Sequence, residues 1–394
     1  MGLVEELVHR HGGVALQVLE QARAHELQIL YTQIDRDAEN FPYFTRHEYR
    51  YAEGEPYFYP ASTVKMAGAF LALERLNELD VPGLDRHTHV RIDSAAPGQV
   101  AVLHDSSSPT GLPSIGHYIH KLFVVSDNDA YNRLYEFLGQ KRLNRALWDK
   151  GYADVRLTHR LSASLSAEQD RCTNPVTFLG PGREVLFEQG LVCSDETPAP
   201  KTPIRKGGGY QQGGELVEEP MDFTGKNWMS LTVMQEMLQA VLFPEAVLEN
   251  RRFGLSVDDY DFLFRSMSLL PRESRHPCYD PEHYYDGYVK FALFGDTRDR
   301  IPEHIRVFNK VGFAYGYLTE NAYVVDFDAG VEFLLTAALL VNANGVFNDG
   351  EYEYDEIGFP FVAELGRTLY KHELVRKRVR APDLSRFTRH RRRD

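Results

Sequence analysis

The segment from residue 57 to residue 76 constrains the fold of this chain more than any other. Tyr57-Phe-Tyr-Pro60 has the aromatic residues of a strand end, followed by a proline that breaks the strand. The pattern predicts a strand-to-helix turn that contains Ser62, with the first amides of the helix directed towards its hydroxyl. After the break, apolar side chains recur at helical spacing, at Val64, Ala67, Phe70, Leu71, Leu73 and Leu76.

Ser62 is followed one helical turn later by an amine, in Ser62-Thr-Val-Lys65. Residues at positions i and i+3 share a helix face, so Lys65 can reach the Ser62 hydroxyl. A serine needs a neighbouring base to act as a nucleophile, and a lysine can serve once desolvation or a nearby cation lowers its pKa. The alternative is a helix-capping serine beside an unrelated lysine. Ser62 is, however, the only serine in the chain with a lysine three positions later.

A second polar group, Ser126-Asp127-Asn128, interrupts two apolar helical patterns. The break predicts two helical pieces, with this group facing a cleft. Ser126 is then a second hydroxyl, able to pass a proton to a leaving nitrogen, and the Asn128 amide can hold a substrate amide. The alternative is a helix N-cap, for which serine, aspartate and asparagine are favoured.

A third element, Lys310-Val-Gly312, ends a predicted strand over residues 304–312, in which apolar and other side chains alternate. Lys310 offers a cation to a substrate carboxylate, and Gly312 allows substrate to lie close to the backbone. The alternative is an exposed lysine before a turn. A rival match at Lys206-Gly-Gly lies in a glycine-rich stretch without a strand pattern, which favours Lys310.

Together the three motifs resemble the penicillin-recognising serine hydrolases, which carry Ser-x-x-Lys, Ser-Asp-Asn and Lys-Thr-Gly. Class C and class D enzymes typically carry Tyr-x-Asn and Ser-x-Val as their second element, so Ser-Asp-Asn favours the class A β-lactamase group. The likeness covers residues 14–135 and 300–375.

The resemblance implies an α/β (α+β) fold in which an antiparallel sheet is flanked by terminal helices. Residues 1–66 and 300–394 then form the sheet lobe, and residues 67–299 an all-helical lobe, with the site in the cleft between them. Insertions are expected around 180–220 and 271–290, where the chain is longer than its relatives. Periodicity places a helix at 15–24, strands at 27–34 and 48–59 and from 305 onward, and a last helix through Phe361–Tyr370.

The resemblance also implies roles for the matching residues. Ser62 attacks a carbonyl while Lys65 accepts its proton, and Ser126 relays a proton to the leaving nitrogen. The backbone N–H groups of Ser62 and Phe313 hold the oxyanion. The substrate-binding residues are Asn128, Gly312 and Phe313, and Lys310 holds the substrate carboxylate.

Two departures shift the expected activity. The chain has no Glu-x-x-Leu-Asn element, whose glutamate activates the deacylating water in class A enzymes. Asp170-Arg171 resembles the start of that loop, which puts Thr173 at the glutamate position and leaves Glu168 as a candidate base, the alternative being a surface charge. Val311 replaces the usual serine or threonine, which deletes a hydroxyl that helps to bind the substrate carboxylate.

Three hypotheses follow. The first, which is favoured, is a serine acyl-hydrolase of the DD-peptidase or penicillin-binding type, acting on a peptide, an amide or a β-lactam. The second is a genuine β-lactamase with a relocated base, and the third is a binding module that no longer turns over. All three have a small-molecule or peptide partner and need no cofactor.

Composition and the N-terminal sequence limit the binding partners and the cellular compartment that are expected for this protein. The excess of 57 acidic over 44 basic residues, net −13, argues against nucleic acid. Cys172, Cys193 and Cys278 lack metal-ligand spacing and leave one disulfide possible. No apolar run is long enough to span a membrane, and the basic run 389–393 is read as a solvated tail. The N-terminus lacks signal-peptide features, so export to the periplasm or outside the cell is inferred from the family alone, the alternative being a cytoplasmic protein.

Overall fold

The computed structural model describes residues 1–196, 198 and 202–388, so the basic run 389–393 lies outside the described residues. The strands are β1 (Gln28–Arg36), β2 (Pro42–Arg50), β3 (His89–Ile92), β4 (Val155–Arg156), β5 (Cys172–Thr173), β6 (Val176–Leu179), β7 (Val185–Gln189), β8 (Val192–Cys193), β9 (Arg205–Lys206), β10 (Gly209–Gln212), β11 (Glu215–Val217), β12 (Met221–Asp222), β13 (Trp228–Met229), β14 (Ile305–Ala314), β15 (Tyr317–Asp326), β16 (Val331–Leu340) and β17 (Val346–Phe347). The helices are α1 (Leu3–His11), α2 (Gly13–Glu20), α3 (Lys65–Leu79), α4 (Ile115–Val124), α5 (Asn128–Leu138), α6 (Gln140–Asp149), α7 (Ala167–Arg171), α8 (Leu231–Leu242), α9 (Val257–Ser268), α10 (Phe291–Phe294), α11 (Phe359–Val375) and α12 (Ser385–Thr388).

One five-stranded antiparallel sheet joins the two ends of the chain, in the order β14-β15-β16-β1-β2. Its inner strands β1, β15 and β16 are buried on both faces because each face of the sheet is covered there. Leu30 and Ile34 pack into one core with the helices of the middle segment, whereas Ile29 and Tyr31 pack into a second core with α1, α2 and α11. The predicted α/β fold with a helix-flanked antiparallel sheet is therefore confirmed.

The predicted strand over residues 48–59 is wrong beyond residue 50. Strand β2 ends at Arg50, and the chain then runs without regular structure to Pro60. Gly54 adopts a positive φ of 76°, and Pro56 has no N–H to donate to a ladder. The approach to Ser62 is therefore an extended loop, which can bend towards the sheet edge.

The middle segment is helical around α3–α6, α8 and α9, but it is not helical throughout. Short strands pair as β3-β6-β7, β4-β13, β5-β8 and β9-β12, which corrects the prediction of an all-helical lobe. Strands of two to five residues are too short for alternation to distinguish them from loops. A disulfide between Cys172 and Cys193 joins β5 to β8, and Cys278 is free and exposed.

One pairing ties an insertion to the sheet lobe. Strand β10 pairs with β11 in a hairpin and runs parallel to β17, which lies in the loop after β16. The Gly208 N–H also donates to the carbonyl of Gly345 at 2.9 Å. The inserted segment thereby supports the loop that connects β16 to α11.

Candidate active site

The turn that carries Ser62 is a 3₁₀ turn, Ala61–Val64, that leads directly into α3. The Thr63 N–H and hydroxyl both donate to the carbonyl of Pro60, at 3.1 and 2.6 Å. Strand β14 lies against this turn so closely that a Cβ on Gly312 would be 2.6 Å from the Pro60 oxygen and 2.7 Å from the Ser62 nitrogen. The sequence suggested that Gly312 leaves room for substrate. The structure shows that the backbone of the Ser62 turn also requires a glycine at this position.

Lys65 begins α3 and is fully buried. Its Nζ donates to the Ser126 carbonyl, to Ser126 Oγ at 3.2 Å and to Asn128 Oδ1 at 2.7 Å. An ammonium has three protons to donate, so these three acceptors saturate it. The expected hydrogen bond to Ser62 is not formed, and Ser62 Oγ has no hydrogen-bond partner among the described residues.

Ser126 and Asn128 lie where α4 ends and α5 begins, as the apolar pattern predicted. The cap of α5 is Asp127, whose carboxylate accepts from the Ala130 N–H at 2.8 Å. Ser126 has a positive φ of 60°, which turns its carbonyl and hydroxyl towards Lys65. The helix-capping alternative is thus correct for Asp127, whereas Ser126 and Asn128 both bind the Lys65 ammonium.

Lys310 is also buried, and its Nζ donates to Ser126 Oγ at 2.8 Å and to the Val311 carbonyl at 2.9 Å. Burial lowers the pKa of Lys65 to about 7, against the opposing field of Asp127. Burial, and then the charge of Lys65, lowers the pKa of Lys310 well below its ordinary value. The two amines therefore compete for charge around one hydroxyl.

Phe313 lies on β14, the edge strand of the sheet. A two-residue turn, Tyr315-Gly316 with φ of 55° and 74°, closes the pair Ala314–Tyr317. Hydrogen-bonded and non-hydrogen-bonded pairs alternate along an antiparallel ladder, so Phe313 falls at a position whose N–H points away from β15. That N–H faces the free edge, on the side where the Ser62 turn packs.

These elements meet at a cavity of about 520 Å³. Ser62, Asn128 and Phe313 lie on its wall, and the Lys65 and Lys310 ammonium groups lie behind Ser126 and Asn128. The residues that line it are Tyr59, Ala61, Ser62, Asn128, Leu161, Ser162, Phe313, Ala314, Tyr315, Asn348, Asp349, Gly350 and Tyr352.

Three residues that sequence matching considered do not line this cavity. Glu168 is exposed on α7 and does not line the cavity wall. Lys206, the rival of Lys310, binds Glu26 with both carboxylate oxygens at 2.8 and 2.9 Å. Thr173, which sequence matching put at the glutamate position, is buried in β5.

Ser162 lines the same cavity as Ser62 and was missed by sequence reasoning. Its Oγ accepts from Asn128 Nδ2 at 2.8 Å, and its φ is 51°. The preceding Arg160 is buried and holds this wall by binding Glu136 at 3.1 Å and Asp170 at 3.3 Å. Asp170 therefore helps to position the Ser162 segment through its ion pair with Arg160, which the sequence pattern did not predict.

The loop between β16 and α11 supplies the remaining wall, through Asn348, Asp349, Gly350 and Tyr352. No motif in the sequence singled out these residues. In the described part of the chain, no group of His, Cys, Asp and Glu side chains is arranged to hold a metal ion. No helix of that part combines the length and apolar character needed to cross a membrane.

Comparisons with known proteins agree with this geometry. The model of the Beta-lactamase enzyme family matches residues 15–182. An ancestral (GNCA) class A β-lactamase matches with a TM-score of 0.50 and 15% identity, over 91% of this chain and 100% of that one. A β-lactamase from Xanthomonas campestris pv. campestris matches with a TM-score of 0.50 and 13% identity, over 93% and 98%. No curated protein sequence matches the chain.

Proposed function

We propose that the chain is a β-lactamase-like serine hydrolase, which its family-model match over residues 15–182 and its fold support, and that it forms an acyl-enzyme at Ser62 with a peptide, amide or β-lactam substrate. The observation that carries the proposal is the shared contact of two buried lysines with Ser126, directly behind the cavity wall on which Ser62 lies. A hydroxyl nucleophile, a base whose pKa lies near neutrality and a second hydroxyl are then within one cluster.

Acylation follows from the protonation state of Lys65. With its pKa at about 7, a substantial fraction of this amine is neutral at physiological pH. The neutral amine takes the Ser62 proton as Oγ attacks the substrate carbonyl carbon. When the C–N bond breaks, the Ser126 hydroxyl gives its proton to the leaving nitrogen and recovers one from the Lys65 ammonium, so the proton balance closes.

The oxyanion of the tetrahedral intermediate is held by the N–H groups of Ser62 and Phe313. When Lys310 is the amine that carries the proton, it adds positive field through its contact with Ser126 Oγ, and the Asn128 amide orients the substrate amide. An oxyanion-hole donor of this kind typically contributes on the order of a hundredfold or more in rate.

Deacylation is the slow step in this proposal. Ser162, a hydroxyl, lies beside Asn128 where a water-activating carboxylate would be useful, and Glu168 lies outside the cavity. A hydroxyl without its own base activates water poorly. We therefore favour a DD-peptidase or penicillin-binding type over a genuine β-lactamase with a relocated base.

The test is incubation with a fluorescent penicillin, followed over time by intact-protein mass spectrometry. A persistent adduct on the wild-type protein that is absent in Ser62→Ala is the expected result. Rapid release of hydrolysed drug identifies a β-lactamase instead. Absence of any adduct, with neither penicillin nor activated acyl esters reacting, favours the binding module. Labelling that survives in Ser62→Ala overturns the assignment of Ser62.

We also propose that the protein works in the periplasm or outside the cell. The disulfide between Cys172 and Cys193 supports this, because such bonds persist in oxidising compartments. Expression of the natural gene in its host, with thiol alkylation before fractionation, tests it. Oxidised protein in the periplasmic or culture fraction is expected, and reduced protein confined to the cytoplasm would contradict it.

A further inference from the structure

The cavity wall carries one formal charge among its described residues, and that charge is negative. Asp349 is the only acidic residue of that lining set, and the set contains no lysine, arginine or histidine. A cavity that receives an anionic substrate normally presents a cation to it. Here no cation belongs to the lining set, so the wall that substrate meets favours a positive group.

The position of Asp349 is built into the fold. Asn344 Nδ2 donates to one carboxylate oxygen at 2.8 Å, and the Glu351 N–H donates to the other at 3.0 Å. Each oxygen keeps a further lone pair for a ligand. Asp349 is half-buried, so its charge is only partly screened by solvent.

The loop that carries Asp349 is held from two sides. Phe347 is buried against Phe223, with ring centroids 5.1 Å apart, and β17 runs parallel to β10 of the inserted segment. Asn348 Nδ2 also donates to the carbonyl of Gln211 at 2.9 Å. The insertion that the sequence left without a role therefore holds Asp349 at the cavity.

Aromatic rings surround the same space. Tyr59, Tyr315 and Tyr352 all line the cavity with Asp349. The faces of such rings attract ammonium and guanidinium groups, and the Tyr315 ring already has Lys226 Nζ 4.9 Å from its centroid. A carboxylate next to such rings adds a charge-assisted hydrogen bond to a bound cation. The net charge of −13 draws cations towards the protein in addition.

We infer that Asp349 is a specificity-determining residue that binds a primary ammonium or guanidinium group of the acyl donor. The substrate class is an amide or ester whose acyl part carries a basic side chain, as a lysine or arginine residue does. This inference rests on the proposed acylation of Ser62. It specifies that the cavity selects a positively charged substrate.

The first experiment compares p-nitrophenyl esters of Nα-acetyl-lysine and Nα-acetyl-norleucine, which differ in the ammonium group. The ratio of their acylation rates, read from nitrophenolate release, is expected to favour lysine by about tenfold or more, since a charged hydrogen bond is lost with norleucine. In Asp349→Asn the ratio should fall towards one. In Glu351→Gln, which removes an exposed carboxylate of the same loop outside the cavity, the ratio should stay as in the wild type.

A second experiment separates failure of this inference from failure of the proposed chemistry. Calorimetry on Ser62→Ala measures binding of Nα-acetyl-lysine amide and Nα-acetyl-norleucine amide without any acyl transfer. Tighter binding of the lysine amide that is lost in Ser62→Ala/Asp349→Asn supports the inference even if neither ester reacts. The inference about Asp349 is overturned if the two esters react at equal rates, or if the two amides bind equally or not at all. The acylation proposal stays intact in that case if nitrophenolate release still depends on Ser62.

Discussion

Lys65 and Lys310 donate to the same oxygen, the Oγ of Ser126, at 3.2 and 2.8 Å. They come from opposite parts of the chain, one from the first turn of α3 and the other from the edge strand β14. Burial disfavours protonation of both amines, and the charge of Lys65 further disfavours protonation of Lys310. The arrangement keeps a basic amine available near neutral pH, which a solvent-exposed lysine cannot offer.

The first prediction concerns the pH dependence of acylation. The rate of Ser62 labelling should rise with pH through about 7, because burial lowers the pKa of Lys65 to about 7 and only the neutral amine accepts a proton. Labelling by a fluorescent penicillin or an activated ester, measured between about pH 5 and 9, checks this. A rate that does not change over that range would exclude Lys65 as the base.

Lys290 is a matched control for that profile. It is equally buried and its pKa is also lowered to about 7 by burial, but it donates to Asn309 Oδ1 at 2.7 Å and does not line the cavity. Between pH 7 and the ordinary lysine pKa of about 10.4, the unfolded chain binds more protons, so each such lysine makes the free energy of unfolding rise with pH. Lys290→Met should flatten that rise. It removes one of the charges that lower the Lys310 pKa, but none that acts on the Lys65 pKa, so the rise of acylation through about pH 7 should stay in place.

A second prediction distinguishes the role of the Ser126 hydroxyl in acylation from the effect of the positive φ of residue 126 on stability. Ser126→Ala and Ser126→Gly both remove the hydroxyl that the two lysines share, and both should slow acylation by about a hundredfold or more. Because φ at this position is 60°, the glycine variant should be more stable than the alanine variant by about 1 kcal/mol. Urea denaturation and labelling kinetics give the two quantities. Labelling of Ser126→Ala at the wild-type rate would remove the relay from the mechanism.

A third prediction concerns the contact between β14 and the Ser62 turn. Gly312→Ala places a methyl group 2.6 Å from the Pro60 carbonyl oxygen, so either the turn or the strand must move. The expected cost is about 1–3 kcal/mol in the free energy of unfolding, with at least a tenfold slower acylation because the oxyanion donors separate. Gly190→Ala is the control, since nothing lies within 4 Å of the added methyl. Equal effects of both changes would contradict the assigned role of Gly312.

A fourth prediction concerns the disulfide between Cys172 and Cys193. Replacing Cys172 and Cys193 together by alanine should lower the free energy of unfolding by about 3 kcal/mol, the cost of freeing a loop of this length. A reducing agent should lower the thermal midpoint of the wild type and leave that of the double variant unchanged. Cys278→Ser, which alters the free exposed cysteine, serves as control. A midpoint that reductant does not move would show that the bond is not formed.

Sequence reasoning succeeded where local pattern and local chemistry coincide. The helix after Ser62, the break around Ser126 and the strand through Lys310 each follow from apolar spacing within about ten residues. It was wrong about the strand to residue 59, and it did not predict the short strand pairings β3-β6-β7, β4-β13 and β5-β8. Pairs of two-residue strands depend on partners far away in the chain, which spacing does not report.

The sequence by itself determined which groups the site contains, since Ser62, Lys65, Ser126, Asn128 and Lys310 are set by the chain. Only the tertiary structure decided how they connect, with Lys65 saturated by Ser126 and Asn128 and without a hydrogen bond to Ser62. It also brought Ser162 and Asp349 to the cavity from loops with no motif of their own. The physical reason is that hydrogen-bond geometry and burial depend on contacts between residues far apart in the chain, such as Ser126 and Lys310, which are 184 positions apart, and no local pattern encodes them.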